Sequence, residues 1–210
     1  MIQIKRLPLG PMQTNCYIVM CENTGQTAVI DPSWDGRALA AALTDGGHNL
    51  THILLTHAHF DHVGGLAELK EAFPEIPVYI HPDAAEQLSQ AAMQAMFFGM
   101  KLIQPPAAEK NLAEGDIIEL GDLRLQVFYT PGHAEGHVSF YLPEFNVIFS
   151  GDVLFQGSIG RTDLPGGDHS LLIQIIEDKL LTLPDQTHVL SGHGSPTTIG
   201  QERQTNPFLQ

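Results

Sequence analysis

Residues 53–65 read ILLTHAHFDHVGG, an apolar run followed at once by three histidines and an aspartate within six positions. Such a cluster binds either a metal or protons, and the alternative to both is a loop held by hydrogen bonds. Burying so many groups that compete for protons is costly unless a cation shares them. We therefore interpret the cluster as metal-binding.

Polar side chains follow apolar strands at three further places in the chain. LQVFYTPG runs into His133, NVIFSG into Asp152, and HVLSG into His193. A rigid strand determines where the following loop begins, and functional loops are often found at strand ends. We therefore expect the four strand ends to converge on one edge of the fold.

The combined set has five imidazoles and two carboxylates, more than the four ligands of a closed structural zinc site. It suits two divalent metal ions with open positions and a shared carboxylate. We assign the ligands as follows: His57, His59 and His133 to the first metal, Asp61, His62 and His193 to the second, and Asp152 as the bridge. No cysteine belongs to the set, so zinc, iron and manganese are all compatible with it.

Composition indicates the class of protein. A chain of 210 residues with 43% apolar content can bury one core, so we expect a single domain over residues 1–210. The net charge of −14 disfavours nucleic acid and anionic membrane surfaces as partners. The N-terminus lacks an apolar signal region, and no apolar run reaches the roughly 18 residues of a membrane span. A soluble, cytoplasmic protein is expected, of unknown oligomeric state.

Short apolar strands alternate with glycine-rich joins, which predicts an α/β chain with helices packed on sheets. We expect strands at residues 2–7, 15–21, 26–31, 51–56, 77–81, 116–120, 123–129, 137–142, 145–150 and 187–191. Helices are expected after Asp35 as the cap, across Leu66, Leu69 and Phe73, and in SLLIQIIEDKLL (170–181), whose apolar stripe should face the core. Cys16 and Cys21 should point to opposite faces of a strand as reduced thiols.

Four motifs together resemble a known family. THAHFDH (56–62), TPGHAEGH (130–137), SGD (150–152) and SGHG (191–194) are similar to the metal-binding motifs of the metallo-β-lactamase superfamily. TNCYIV, IDPS, GRTDL and NPFLQ are more similar to its glyoxalase II-like branch. The resemblance implies an αββα sandwich, two mixed sheets flanked by helices, with a dinuclear site at one edge. It implies the same seven ligands.

The resemblance also implies an activity of the hydroxyacylglutathione hydrolase type. No serine or cysteine stands in a nucleophilic arrangement, so we expect a metal-bridging hydroxide to attack a small-molecule thioester, with Asp61 as the catalytic residue that holds its proton. Glyoxalase II enzymes carry a C-terminal helical domain that supplies much of the glutathione-binding surface. Only 17 residues follow His193 here. The thiol carrier therefore stays open.

Other activities remain possible at this point. The main alternative is a persulfide (sulfur) dioxygenase with one iron at the first site, because relatives with that activity show similar TPGH and GRTD segments. The complete second ligand set favours the hydrolase. A metal-binding or partner-binding protein without catalysis, a lactonase and a β-lactamase are the remaining possibilities.

Several neighbouring residues carry secondary expectations. The resemblance implies that the Asp163 carboxylate accepts an N–H from a ligand imidazole. We expect Arg161 to form a salt bridge and His137 to pack rather than ligate. Within residues 93–106, five large apolar side chains are interpreted as core or dimer contacts rather than as a lid: Met93, Met96, Phe97, Phe98 and Met100. The other histidines should be at the surface or hydrogen-bonded: His48, His52, His81, His169 and His188.

Overall fold

A computed structural model describes residues 1–210. The strands are β1 (Ile2–Leu9), β2 (Thr14–Cys21), β3 (Gln26–Ile30), β4 (Asn49–Leu54), β5 (Val78–Ile80), β6 (Lys110–Asn111), β7 (Ile117–Leu120), β8 (Leu123–Tyr129), β9 (Val138–Leu142), β10 (Val147–Gly151), β11 (Leu154–Phe155), β12 (Ser158–Ile159), β13 (His188–Ser191) and β14 (Thr197–Thr198). The α-helices are α1 (Gly36–Asp45), α2 (Phe60–Val63), α3 (Leu66–Ala72), α4 (Ala85–Ser89), α5 (Ala91–Phe97), α6 (His169–Ile175) and α7 (Ile199–Thr205). Two 3₁₀ turns (Pro82–Ala84 and Pro143–Phe145) and a π-helical turn (Ile176–Leu180) complete the set.

Two six-stranded mixed sheets form the centre of the fold. The first has the order β1-β2-β3-β4-β5-β6, antiparallel up to β3 and parallel from there on. The second has the order β14-β13-β10-β9-β8-β7, with β10 and β13 parallel and its other neighbours antiparallel. All ten predicted strands are present with ends within two residues of those predicted. The four that were not predicted are two residues long, too short to show an alternating pattern.

Three apolar layers hold the sheets and helices together. One lies between the first sheet and α1, α3 and α4, the second between the two sheets, and the third between the second sheet and α6, its π-helical continuation and α7. This arrangement confirms the expected αββα sandwich. Cys16 belongs to the first layer and Cys21 to the second, and both are free thiols, so the prediction of opposite faces is confirmed.

The helices begin where they were predicted, but one capping mechanism differs. Asp35 precedes α1 with a left-handed backbone (φ +50°), and its side chain caps no N–H. Asp168 does cap α6, because its Oδ1 accepts the N–H of Leu171 at 3.0 Å. The stripe of SLLIQIIEDKLL faces the core through Leu172, Ile176 and Leu180. No helix combines the length and apolar character needed to cross a bilayer.

Candidate metal centre

The structure brings all seven predicted residues together in one cluster. The segments that follow β4, β8, β10 and β13 supply them, with Asp61 and His62 in the short helix α2, as the strand-end pattern predicted. Their nitrogen and oxygen atoms form three overlapping groups whose members lie within 4.8 Å of one another. The groups are His57, His59 and His133; His57, His62 and Asp152; and Asp61, His62 and His193.

The first group contains three imidazole nitrogens pointing at one place. His59 Nδ1 lies 3.0 Å from His57 Nε2 and 2.9 Å from His133 Nε2. Nitrogens bound tetrahedrally to zinc at 2.0–2.1 Å would be about 3.3 Å apart. The spacing is therefore close to that of ligands around a single ion.

Asp61, His62 and His193, called the second group from here on, add a carboxylate to the imidazoles. Asp61 Oδ2 lies 3.2 Å from His193 Nε2 and 3.8 Å from His62 Nε2. Asp152 lies between the groups, with Oδ1 3.4 Å from His62 Nε2 and Oδ2 3.6 Å from His133 Nε2 and 3.5 Å from His193 Nε2. One carboxylate thus faces both groups, the position predicted for a bridge.

Hydrogen bonds on the outer side of the cluster fix the tautomers of three histidines. The Nδ1–H of His57 donates to Thr56 Oγ1 at 2.9 Å, and that of His62 donates to Asp31 Oδ2 at 2.9 Å. The Nδ1–H of His133 donates to the Arg161 carbonyl at 2.7 Å. The inward Nε2 atoms therefore have no proton of their own in the neutral rings and can bind a cation.

Two inward atoms of the cluster have no hydrogen-bond partner. These atoms, His62 Nε2 and Asp152 Oδ1, are buried and face each other. A buried polar atom without a partner destabilises the fold unless something else satisfies it. Together with the tautomers and the nitrogen spacing, they show that the residues fit divalent metal ions.

Burial and neighbouring charges determine which groups carry protons before metal binds. Burial, reinforced by nearby histidines, lowers the pKa of His57 well below 6.5 and that of His59 to about 3. Burial opposes ionisation of Asp61, but His62 and His193 outweigh it and lower the pKa of Asp61 to about 2. Burial likewise opposes charging of His62, yet Asp152 and Asp61 raise the pKa of His62 well above its usual range. Cations would therefore compete with protons at the second group.

Asp31 supports the centre and was not predicted as a site residue. Its carboxylate accepts the N–H of Thr56 at 2.8 Å, the hydroxyl of Thr56 at 2.7 Å and the ring N–H of His62. It therefore positions ligands of both groups, His57 through Thr56 and His62 directly. Asp31 directly follows β3, so the strand-end pattern that marked the other residues was a usable signal here too.

The prediction for Asp163 was wrong. Its carboxylate is exposed and forms two 2.8 Å hydrogen bonds with the Arg161 guanidinium, which confirms the salt bridge expected for Arg161. The backbone of the GRTDL segment points the Arg161 carbonyl inward and the Asp163 side chain outward. A main-chain oxygen, rather than a carboxylate, therefore fixes the ring of His133.

His137 packs behind the centre, as expected, and also holds the bridging residue in place. It is fully buried, its Nδ1 pairs with Thr130 Oγ1 at 2.9 Å, and its Nε2 accepts the backbone N–H of Asp152 at 3.1 Å. Burial lowers the pKa of His137 well below 6.5, so the ring stays neutral and can accept that N–H.

The start of β2 holds Asp61 and the loop that carries His193. Thr14 Oγ1 donates to Asp61 Oδ2 at 2.9 Å. Asn15 Nδ2 and the Tyr17 hydroxyl donate to the Ser191 carbonyl at 2.9 and 2.7 Å, which fixes the loop that carries His193. The TNCYIV segment therefore positions two ligands of the second group.

A cavity of about 640 Å³ opens onto the centre. Asp61, Asp152 and His193 line its floor, and one wall consists of large apolar side chains: Met12, Phe60, Met93, Phe97 and Phe98. Met93, Met96, Phe97 and Phe98 are 49%, 71%, 83% and 45% exposed, so these four are not core residues, and their interpretation as dimer contacts stays a prediction. Their apolar side chains face the cavity or solvent because α5 lies over the centre and not against a sheet.

The sequence model of the metallo-beta-lactamase superfamily matches residues 9–193 of this chain. This chain belongs to the metallo-β-lactamase superfamily. Among superfamily relatives, a probable metallo-hydrolase of Bacillus subtilis, YqgX, is 42% identical over 98% of this chain and 96% of its own length. The hydroxyacylglutathione hydrolase GloC of Haemophilus influenzae is 38% identical over 99% of this chain and 98% of its own length.

Solved structures of the superfamily agree with the fold. The BLEG-1 B3 metallo-beta-lactamase has a TM-score of 0.92 at 43% identity, over 99% of this chain and all of its own. TTHA1623 in a di-iron-bound form has a TM-score of 0.90 at 43% identity, over 98% of this chain and 100% of its own. ETHE1 from Myxococcus xanthus has a TM-score of 0.81 at 29% identity, over 98% and 83%. The chain is thus a metallo-hydrolase of this superfamily with a histidine and aspartate cluster for metal.

Proposed function

We propose that this metallo-hydrolase is a thioesterase of the hydroxyacylglutathione hydrolase type that works with two divalent metal ions, zinc first. The observation that carries the proposal is the pair of ligand groups joined by Asp152 at the floor of an open cavity. The likeness to GloC over nearly the full length of both chains supports the thioester as the substrate. The likeness to a di-iron protein makes iron the main competitor of zinc.

The cavity residues leave water as the nucleophile. No serine, threonine, cysteine or lysine lines the cavity, and Cys16 and Cys21 are buried in apolar layers. Two bound cations would lower the pKa of water towards about 7 and polarise the substrate carbonyl. Asp61, ionised because its pKa is about 2, would accept a hydrogen bond from the attacking hydroxide and orient it. The Thr14 hydroxyl keeps the Asp61 carboxylate in that position.

A mononuclear iron persulfide dioxygenase is the second candidate. Two histidines and one carboxylate, the set that non-haem iron oxygenases use, are available at the first group, where Asp152 Oδ2 lies 3.6 Å from His133 Nε2. The likeness to ETHE1 is the other reason to retain it. The complete group of Asp61, His62 and His193 favours the hydrolase, since a one-iron enzyme has no use for a second set of ligands.

Metal content and turnover, measured on one preparation, separate these candidates. The protein is purified without chelator, analysed for metals, and assayed anaerobically for hydrolysis of S-lactoylglutathione. Close to two metals per chain with turnover independent of oxygen would support the thioesterase. About one iron, no hydrolysis and oxygen uptake with glutathione persulfide would replace it with the dioxygenase.

Two histidine variants provide the matched comparison for this assay. His133→Ala removes a ligand and should lose metal and activity together. His188→Ala removes an exposed histidine outside the cluster and should retain both. Equal activity in the two variants would refute the assignment of the centre.

A further inference from the structure

Three large apolar side chains from one short segment line the cavity and are exposed to solvent. Met93 and Phe97 belong to α5, Phe98 follows it, and they are 49%, 83% and 45% exposed. Met12, 44% exposed, lines the same cavity. We call these four residues the apolar wall. Contiguous exposed apolar surface in a binding cavity usually marks the place where an apolar ligand binds.

The apolar wall is continuous with the metal centre. The ring of Phe98 stacks on that of Phe60 with centroids 5.1 Å apart and planes at 29°. Phe60 is buried and directly precedes Asp61. One substrate molecule can therefore place an apolar group at the wall and its carbonyl at the centre.

Hydrogen bonds hold α5 in this position. Gln94 Nε2 donates to the Gln87 carbonyl at 2.9 Å, which ties α5 to α4. Gln104 accepts the Ala92 N–H at 3.1 Å and donates to the Leu88 carbonyl at 2.9 Å. The wall is thus built into the cavity and does not depend on a ligand to form it.

The polar side of the cavity is acidic. Asp83, Glu86 and Glu135 line it, and Arg161 is its one permanent cation, already paired with Asp163. A polyanionic carrier would meet three carboxylates and no free cation, which disfavours its binding. A small carrier with little net charge suits this side better.

We infer that the apolar wall binds the acyl group, and that the preferred substrates are thioesters with an apolar acyl chain of about four to eight carbons on a small, weakly charged thiol. This inference rests on the thioesterase activity of the proposed function and departs from a short hydroxyacyl group such as lactoyl as the preferred acyl group. A polar two- or three-carbon acyl group would leave most of the wall unused. A second copy of the chain is a poorer occupant, because a partner covering the wall would block the cavity that leads to the centre.

The test is a series of thioesters on one neutral carrier, N-acetylcysteamine, from acetyl to butanoyl, hexanoyl and octanoyl. A fully buried methylene is worth about a factor of four in binding, so a half-exposed wall should give about twofold per methylene. Four methylenes separate hexanoyl from acetyl, so kcat/KM should rise about 16-fold between them. Equal rates along the series would overturn the inference.

Two variants of α5 localise the effect. Phe97→Ser should reduce the hexanoyl-to-acetyl ratio of kcat/KM from about 16 to about 4 or less. Met96→Ser changes an exposed apolar residue of the same helix that does not line the cavity, so it should keep the parent ratio. An unchanged ratio in Phe97→Ser would overturn the inference. A parent that elutes as a dimer and a Phe97→Ser variant that elutes as a monomer in size-exclusion chromatography, with the same kcat/KM ratio, would also overturn it. A second copy of the chain would then be the occupant of the wall.

A binding measurement keeps this inference distinguishable from the proposed function. S-Alkyl thioethers of N-acetylcysteamine cannot be hydrolysed, and their affinity is measured by calorimetry on the metal-loaded protein. If no thioester is hydrolysed but affinity rises with alkyl length and this rise is lost in Phe97→Ser, the thioesterase proposal fails and the apolar wall stands. Affinity independent of alkyl length would refute the wall whatever the hydrolysis assay gives.

Discussion

Gly192→Ala tests the packing of the metal centre most directly. A Cβ at position 192 would lie 2.2 Å from Asp152 Oδ1 and 2.6 Å from His62 Cε1. Ordinary van der Waals contact begins at 3.4 Å, so the Asp152 carboxylate or the loop must move by about 1.2 Å. A misplacement of about 1 Å in a catalytic site can cost about 10²-fold in rate. We therefore expect Gly192→Ala to lose about 100-fold in kcat/KM for S-lactoylglutathione.

Metal content and a control in the same loop make this prediction decisive. Elemental analysis should show fewer than two metals per chain in Gly192→Ala, with the free energy of unfolding of the metal-free protein lowered by about 1–3 kcal/mol, the usual cost of overpacking. Gly194→Ala places a Cβ where no atom lies within 4 Å, although its φ of +73° strains the loop. It should retain both metals and most of the activity. Two tightly bound metals and turnover within threefold of the parent in Gly192→Ala would refute the packing argument.

Three further predictions follow from the contacts of the centre. Asp61→Asn keeps the volume but removes the charge that would hold the second metal and orient the attacking hydroxide, so kcat should fall by about 10²–10⁴-fold with the urea midpoint of the metal-free protein nearly unchanged; parent-like turnover would exclude Asp61 from the catalytic centre. Asp31→Asn keeps a residue type that tolerates the left-handed backbone (φ +51°) but loses one acceptor oxygen, so metal affinity, measured by chelator competition, should drop about 10–100-fold, and an unchanged affinity would contradict its role. Burial lowers the pKa of His57 and of His137 well below 6.5, so these rings stay neutral in the folded metal-free protein while the unfolded chain protonates them. Its free energy of unfolding should therefore fall as the pH drops from 6.5 to 5, and a urea midpoint that stays constant over that range would disprove this.

The clustering of the seven side chains was predictable because it depends on a pattern that the sequence displays. Each ligand follows an apolar strand, and a two-sheet sandwich brings the ends of β4, β8, β10 and β13 to one edge. The strand ends themselves were predictable from the alternation of apolar and polar residues. The four two-residue strands were not, since they depend on neighbouring chain segments for their hydrogen bonds.

The supporting contacts were less predictable because sequence does not show which way a backbone turns. In GRTDL the ring of His133 is fixed by the carbonyl of Arg161, an atom that every residue type has, so no letter marks it. The Asp163 carboxylate could accept the ring N–H, but it points away from His133 and pairs with Arg161. Likewise, apolar side chains such as those of Met93, Phe97 and Phe98 are usually buried, but here they line the cavity because α5 faces the cavity and not a sheet.

The crowding around Asp152 explains why two of its neighbours are glycines. A Cβ at Gly160 would lie 1.9 Å from the Asp152 carbonyl, and one at Gly192 would lie 2.2 Å from its Oδ1. These glycines come from separate loops, one after β12 and one after β13, so two loop backbones approach the bridging residue from different directions. His137 holds the Asp152 N–H from a third side. The position of the bridge is therefore determined by close backbone packing, and the seven ligand side chains alone, placed on looser loops, would not reproduce the spacing between the two ligand groups.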